Sequence, residues 1–294
     1  MKEIKKVLLV VNPISGDINK EFIVQKIEKE LRQIGAKLKT YRTTGENDKK
    51  EIYNLIAANT FDRVLVAGGD GTIKLVAEAL QDNNIPLAII PAGSANGLAL
   101  NLGIPNNLEA QLKIALGTQI TEIDTLEING ELCLHISDLG VNAELIKNYE
   151  NSRIRGKVGY LLQSIPTLWS SKYPFEFEIN LKDQKLTRKG ILLAFANAKK
   201  YGTGANVNPK GKIDDGTFEI LLFKNFDILE ILKTLRNETD VNSGFVEIIP
   251  TKEAQVFCKK PVSFQMDGEY IGEIEEISVK IYPKKLPIMT SNDT

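Results

Sequence analysis

The stretch Val64–Leu80, VLVAGGDGTIKLVAEAL, sets Asp70 among Gly68, Gly69 and Gly71, with Thr72 following, between an apolar run and a helical pattern. Glycine-rich turns at a strand–helix junction offer bare backbone N–H groups and the positive end of a helix to an anion. A carboxylate at the centre of such a turn repels a bare phosphate. It suits a nucleoside triphosphate that arrives with Mg²⁺, a cation that takes hard oxygen ligands and keeps several waters. On that reading the glycines admit phosphate oxygens and Asp70 faces the metal or its water shell. On the plainer one, Asp70 caps the helix through its side chain. Two further loops carry similar chemistry: NPISG, with Asn12, Ser15 and Gly16, and PAGSANG, with Ser94 and Asn96. They supply hydroxyls, amides and open backbone at helix starts. The chain has no G-x-x-x-x-G-K-[ST] run, so phosphates have to be held by loops of this kind.

These loops need a scaffold, and the first 120 residues or so supply one by alternating strand and helix patterns. Val7–Val11 reads as a strand buried on both faces, followed by a helix with Phe22, Ile23, Ile27, Leu31 and Ile34 on its apolar side. A strand near Leu38–Thr43, a helix carrying Ile52, Leu55 and Ile56, and strands Val64–Ala67 and Leu87–Ile90 continue the series. All three loops follow strands. They therefore belong at one edge of a parallel sheet, where open α/β sheets take their ligands.

Near Asp124 the pattern changes. TLEINGELCLHI reads as two strands around the hairpin pair Asn129-Gly130, and short strands dominate from FEFEINL to YIGEIEEISVKIY. Helical patterns around Arg155–Trp169 and Asp227–Arg236 interrupt them. The second half reads as a mainly antiparallel sandwich. A domain covering residues 1–122, with 285–294 as candidates to pack back on it, and a second covering 123–284 are expected.

Bulk composition narrows the partners. Lys and Arg number 37 against 38 Asp and Glu, so no basic field points to nucleic acid. Cys133, Cys258 and the single His135 lack the spacing of a zinc site, and a reducing cytoplasm is the expected compartment. No apolar run approaches the ~18 residues of a membrane-spanning helix. Contact with a membrane is expected to be peripheral.

The motifs VNPISG, AGGDGTI, PAGSANGLA, GKIDDGTFEILLF and MDGE stand in the order and approximate spacing of the diacylglycerol kinase catalytic family, which the chain resembles over nearly its whole length. GGDGT alone is shared with NAD kinases and 6-phosphofructokinases. The added DDG and DGE motifs make the likeness specific to lipid kinases. The resemblance implies an N-terminal domain of the phosphofructokinase/NAD kinase type and an ATP- and Mg²⁺-dependent transfer of the γ-phosphate to a lipid hydroxyl, of diacylglycerol or a related lipid. It implies nucleotide contacts at Asn12, the GGDGT residues, Thr43 (with neighbouring Thr44 as the alternative) and Ser94. It also implies an acidic member of the active-site network at Asp124, and a metal held by Asp215 with the carbonyls of Lys212 and Thr217. The base for the lipid hydroxyl falls in DGE, with Asp267 favoured and Glu269 its rival. A homodimer is implied by family analogy.

Read without the family, MDGE is an ordinary hairpin turn, and DDG a polar turn that sets backbone shape. The chain departs from the family at Lys74, Gly97 and Asn142, where acidic or amide residues are usual. These departures bear on the substrate: a sphingoid base, a ceramide or a soluble acceptor such as NAD are the alternatives, and a nucleotide-sensing or lipid-binding module is the non-enzyme one. The stretch 146–175, with Arg153, Arg155, Lys157 and Lys172 beside Tyr160, Leu161, Leu162, Leu168 and Trp169, is the candidate for peripheral contact with an anionic membrane, or else a helix that covers the sheet with its charges solvated.

Overall fold

Six consecutive residues, KVLLVV, form β1 (Lys6–Val11), and five of them are buried. β-branched and leucine side chains without alternation suit a strand covered on both faces, which is the environment of a parallel sheet. The structure, a computed model, describes residues 3–16, 18–80, 83–150, 174–201, 205–225 and 244–291. The helical patterns expected around Arg155–Trp169 and Asp227–Arg236, and the basic, aromatic membrane candidate, lie outside the described residues.

The chain forms two units, one running to Ile123 and resuming at Lys284, the other spanning Asp124–Pro283. In the first, α1 (Lys20–Gln33) begins at Asn19, whose side chain accepts the Phe22 N–H, and buries Ile23, Val24, Ile27 and Leu31 along one face. β2 (Lys37–Arg42), α2 (Asp48–Ala57), β3 (Arg63–Gly68), α3 (Asp70–Leu80), β4 (Leu87–Pro91), α4 (Gly97–Asn101) and α5 (Leu108–Ala115) follow. β2, β1, β3 and β4 lie side by side in that order, every pair parallel. Because the chain leaves β1 for one side and returns on the other at β3, the carboxyl ends of these two strands flank the switch point of the sheet. Arg63 opens β3 almost wholly buried, and its guanidinium donates to Ala115 O at 2.6 Å and Gly117 O at 3.0 Å. A cation there suits the carbonyl end of α5.

The second unit is antiparallel throughout. β5 (Ile120–Ile128) enters it and pairs with β6 (Glu131–Cys133) across Asn129 and Gly130, both at positive φ (50° and 86°), as the tight hairpin requires. β7 (Ile136–Gly140), α6 (Val141–Glu150), β8 (Phe175–Asn180), β9 (Lys185–Gly190), β10 (Leu192–Ala196) and the two-residue strands β11 (Lys200–Tyr201) and β12 (Ala205–Asn206) come next. β13 (Phe218–Phe223), β14 (Val246–Thr251), β15 (Glu253–Met266) and β16 (Glu269–Met289) complete it. β15 carries an irregularity between Phe257 and Val262; residues before it pair with β8 and residues after it pair with β7. A strand that changes partners at a bulge is how one chain serves two layers. Between them pack Phe177, Phe195, Phe218, Leu193, Val256 and Ile277, among others. The parallel α/β part and the antiparallel, sandwich-like part agree with the expected fold class. The far end of β16 belongs to the first unit, where Ile288 pairs parallel with Leu87 of β4. Among the described residues no helix is long and apolar enough to cross a membrane.

Candidate active site

In the first unit the three glycine-bearing loops touch. Asn12 follows β1; its N–H donates to Ala67 O and its side chain donates to Thr72 Oγ1 at 3.2 Å. Ser15 Oγ donates to Ala92 O at 3.3 Å. Gly16 sits at φ +56°, where a Cβ would stand 2.6 Å from Ala92 O. Gly93 approaches Gly69 so closely that a Cβ on it would stand 2.4 Å from the Gly69 Cα. Asn96, itself at φ +55°, closes the third loop by accepting the Gly93 N–H at 2.9 Å and donating back to its carbonyl. Gly68 is held against the Thr72 side chain. Gly71 and Ser94 are exposed, and no bond ties the Ser94 side chain to a described residue. Gly93→Ala is expected to force Gly69 aside and cost about 1–3 kcal/mol in thermal or denaturant unfolding, the range of overpacking.

Asp70 opens α3, yet it serves a different helix. Its Oδ2 accepts the Gly97 N–H at 2.8 Å and its Oδ1 the Leu98 N–H at 3.1 Å. The carboxylate thus caps α4 and ties the second loop to the third. A glycine at 97, where the family often has Asp, keeps a second carboxylate away from this bond. Lys74 is half-buried on α3, and no described residue bonds to it.

Thr43 and Thr44 have different surroundings. Thr44 donates its N–H to Asp48 Oδ1 at 2.9 Å, and its hydroxyl bonds Asp48 and Glu46. The Thr43 N–H donates to Val11 O at 2.9 Å, which holds it beside the carboxyl end of β1, and its hydroxyl has no partner among the described residues. Burial works to raise the Asp48 carboxyl, but hydrogen bonds from Thr44, Tyr41 and Gly45 outweigh it and hold the group low. Its partner Tyr41 is pushed up to about 12, by burial first and then by the bond to Asp48. A raised folded value means that the Tyr41 contribution is intact below the ordinary value near 10 and lost as pH rises to about 12. Tyr41→Phe is expected to flatten the fall in thermal stability across that window and remove a tyrosinate step near 12 from an absorbance titration.

In the second unit Asp124 is fully buried at the middle of β5. Its Oδ2 accepts the Gly216 N–H at 2.6 Å, its N–H donates to Ile213 O at 2.7 Å, and Asn197 donates to its carbonyl at 2.8 Å. Gly216, at φ +74°, is the glycine of DDG, so this motif is the turn that Asp124 clasps. Asp215 is exposed, and its Oδ1 accepts both the N–H and the hydroxyl of Thr217 at 3.0 and 2.8 Å. No group of three or more His, Cys, Asp or Glu able to hold a metal ion occurs among the described residues. The exposed turn offers one carboxylate oxygen, Oδ2, without a partner among the described residues. That donor set fits a hard cation that completes its shell with carbonyls and waters.

DGE forms the turn between β15 and β16, with Asp267 at φ +50° and Gly268 at φ +90°. The Asp267 carboxylate does not hang free. Oδ1 accepts the His135 N–H at 2.9 Å and the Ile136 N–H at 3.4 Å, and Oδ2 the Leu134 N–H at 3.1 Å. Glu269 is exposed, and its side chain bonds no described residue. Behind the turn, Gln265 accepts the Gly268 N–H at 2.9 Å through Oε1 and donates through Nε2 to Asp138, a fully buried carboxylate. Asn142 donates to the same Asp138 oxygen at 2.8 Å. A carboxylate at 142 would lack that N–H, which gives the departure to Asn a physical reason. Sequence reasoning missed Asp138 and Gln265, though polar residues inside otherwise apolar strands were a usable signal. It also missed Lys20, a nearly buried lysine that bonds two of the loops, for which a first-turn lysine gives no signal.

Residues 6–128 match the model for the diacylglycerol kinase catalytic domain, and residues 136–290 that for the YegS C-terminal NAD kinase beta sandwich-like domain. A "Diacylglycerol kinase" of Bacillus subtilis is 29% identical over 290 residues, covering 95% of this chain and 94% of that one. A "Probable lipid kinase YegS" of Escherichia fergusonii is 26% identical, with 97% and 96% covered. Among solved structures, a diacylglycerol kinase from Bacillus anthracis aligns with a TM-score of 0.78 at 19% identity, covering 100% of this chain and 99% of that one. An NAD kinase from Archaeoglobus fulgidus in complex with ATP aligns at 0.55 and 14%, covering 98% and 94%, which speaks to the fold alone. With both halves matched and the motif loops assembled at the end of its parallel sheet, the chain belongs to the diacylglycerol kinase/YegS lipid kinase family.

Proposed function

We propose that this chain transfers the γ-phosphate of Mg·ATP to a lipid hydroxyl, with diacylglycerol as the first acceptor to test. The observation that carries this reading is the mutual locking of three glycine-bearing loops at the switch point of a parallel sheet. Asn12, Ser15, Gly16, Thr43, Gly68, Gly69, Asp70, Gly71, Thr72, Ser94 and Asn96 would hold the nucleotide. Small residues and left-handed turns let phosphate oxygens reach backbone N–H groups there. Mg²⁺, when bound, neutralises charge on the transferring phosphoryl group. Asp215, with the Lys212 and Thr217 carbonyls, would hold a second cation that braces the Asp124-clasped turn.

Asp267 and Glu269 are the groups proposed to serve the acceptor hydroxyl. Three backbone donors fix the Asp267 carboxylate in place. Phosphoryl transfer through a loose transition state asks more for alignment of the hydroxyl than for early proton removal. A fixed carboxylate can align, while the Glu269 side chain is exposed and bonds no described residue. Diacylglycerol is supported by the name of the Bacillus subtilis relative, a diacylglycerol kinase. Likeness to an NAD kinase fold favours one rival, a water-soluble hydroxyl acceptor.

The test is a label-transfer assay with purified protein, γ-labelled Mg·ATP and a total lipid extract supplemented with diacylglycerol. Label is expected in the organic phase as a phosphomonoester lipid. Label confined to an aqueous acceptor, or no transfer to any lipid, would overturn the reading. A cytoplasmic enzyme touching the bilayer only from outside, alone or as a homodimer, is the working expectation; vesicle co-sedimentation and sizing by light scattering test both parts.

A further inference from the structure

Lys20 is the first residue of α1 and is only 6% exposed. A lysine there runs against two costs, burial of its charge and the positive end of the helix. Its Nζ donates to Ser15 O, to Ile18 O at 3.1 Å and to Ala92 O at 3.0 Å. Those acceptors sit on two different loops, the one after β1 and the one after β4. A trans peptide fixes the C=O of one residue antiparallel to the N–H of the next. Gripping Ser15 O therefore turns the Gly16 N–H away from the ammonium, and gripping Ala92 O does the same for Gly93. The Gly93 N–H goes to Asn96 Oδ1. The Gly16 N–H has no acceptor among the described residues.

We infer that Lys20 is a positioning residue for the nucleotide phosphates: its buried ammonium locks the Ser15–Gly16 and Ala92–Gly93 peptides and aims the Gly16 N–H at the incoming anion. This rests on the proposed nucleotide site. Lys20 touches protein carbonyls, so its effect on phosphate passes through the two loops and through its charge. Lys74, by contrast, has no such scaffold.

The test compares wild-type protein with Lys20→Met and Lys20→Gln. The second keeps two N–H donors while removing the charge, so it retains the fold if methionine does not. Calorimetric titration with Mg·ATP, KM for Mg·ATP, KM for the lipid and the thermal midpoint are measured together. The expected result is a Kd and KM for Mg·ATP raised on the order of 10- to 30-fold, the scale of losing one partly screened charge near a polyanion. The KM for lipid stays unchanged in the folded variants, and Lys20→Arg recovers part of the loss. Variants that lose thermal stability yet bind Mg·ATP as tightly as wild type would overturn the inference and leave the nucleotide reading standing. Wild-type protein that binds no Mg·ATP would overturn both.

Discussion

Asp267→Ala is expected to remove phosphoryl transfer and to destabilise the second unit by about 2–4 kcal/mol, whereas Glu269→Gln removes transfer alone. The difference follows from where the two carboxylates stand. Asp267 is the shared acceptor for the N–H groups of Leu134 and His135, between β6 and β7, and of Ile136, which opens β7. Removing it leaves three donors in a partly buried position without that acceptor. It also puts alanine at φ +50°, a conformation aspartate tolerates better. Asp267→Asn separates the parts. Asparagine keeps the left-handed backbone and one acceptor oxygen, but its NH₂ meets at least one of the same donors. It is expected to lose less stability than alanine and most of the activity. Glu269 is exposed and unbonded within the described residues, so Glu269→Gln leaves the unfolding midpoint unchanged. Its rate is expected to fall about 10²–10⁴-fold, the range for a positioned acid–base group. Steady-state kinetics well below the unfolding midpoint distinguish the two. Full activity in Asp267→Asn would make that residue an anchor only, and full activity in Glu269→Gln would leave Asp267 as the group that serves the hydroxyl.

What could be read from the chain divides along a physical line. Features set by near neighbours were legible. The runs KVLLVV and RVLVAG declare buried parallel strands, Asn129-Gly130 declares its hairpin, and the glycines of GGDGT declare a strand–helix turn, where Gly69 meets Gly93. Features set by distant partners were not. Lys20 finds Ala92 72 residues away, Asp70 finds Gly97 27 residues away, and Asp267 finds His135 132 residues away. Side-chain bonds of this kind leave no periodicity, and each residue by itself reads as a solvated charge or a turn former. The Asp124–Gly216 clasp, across 92 residues, is a middle case. Both motifs were visible through family resemblance, while the bond between them was not. Bonds spanning such separations need the fold before they exist, so local propensity carries no trace of them.

The same separation decides how Asp70 should behave. Asp70→Asn is expected to lower turnover about 10²–10³-fold, the loss of one preorganised electrostatic group, and stability by about 1–3 kcal/mol. The stability term is specific. Asn offers one carbonyl oxygen to either Gly97 N–H or Leu98 N–H and presents its own NH₂ to the other, so the α4 cap is half broken. The activity term carries the open question, because a cap that merely holds the third loop and a carboxylate that also faces Mg²⁺ both lose turnover on substitution. Their dependence on free Mg²⁺ differs. A pure cap leaves the Mg²⁺ concentration for half-maximal rate where it was, since the metal never sensed the charge. A carboxylate serving the metal or its water shell shifts that concentration upward, even when temperature is lowered to restore folding. Each carboxylate oxygen accepts one backbone N–H and retains a second lone pair, so the two roles are compatible in one side chain. The upward shift is the expected result. It would make Asp70 the residue through which the position of the third loop and the charge on the metal are set together.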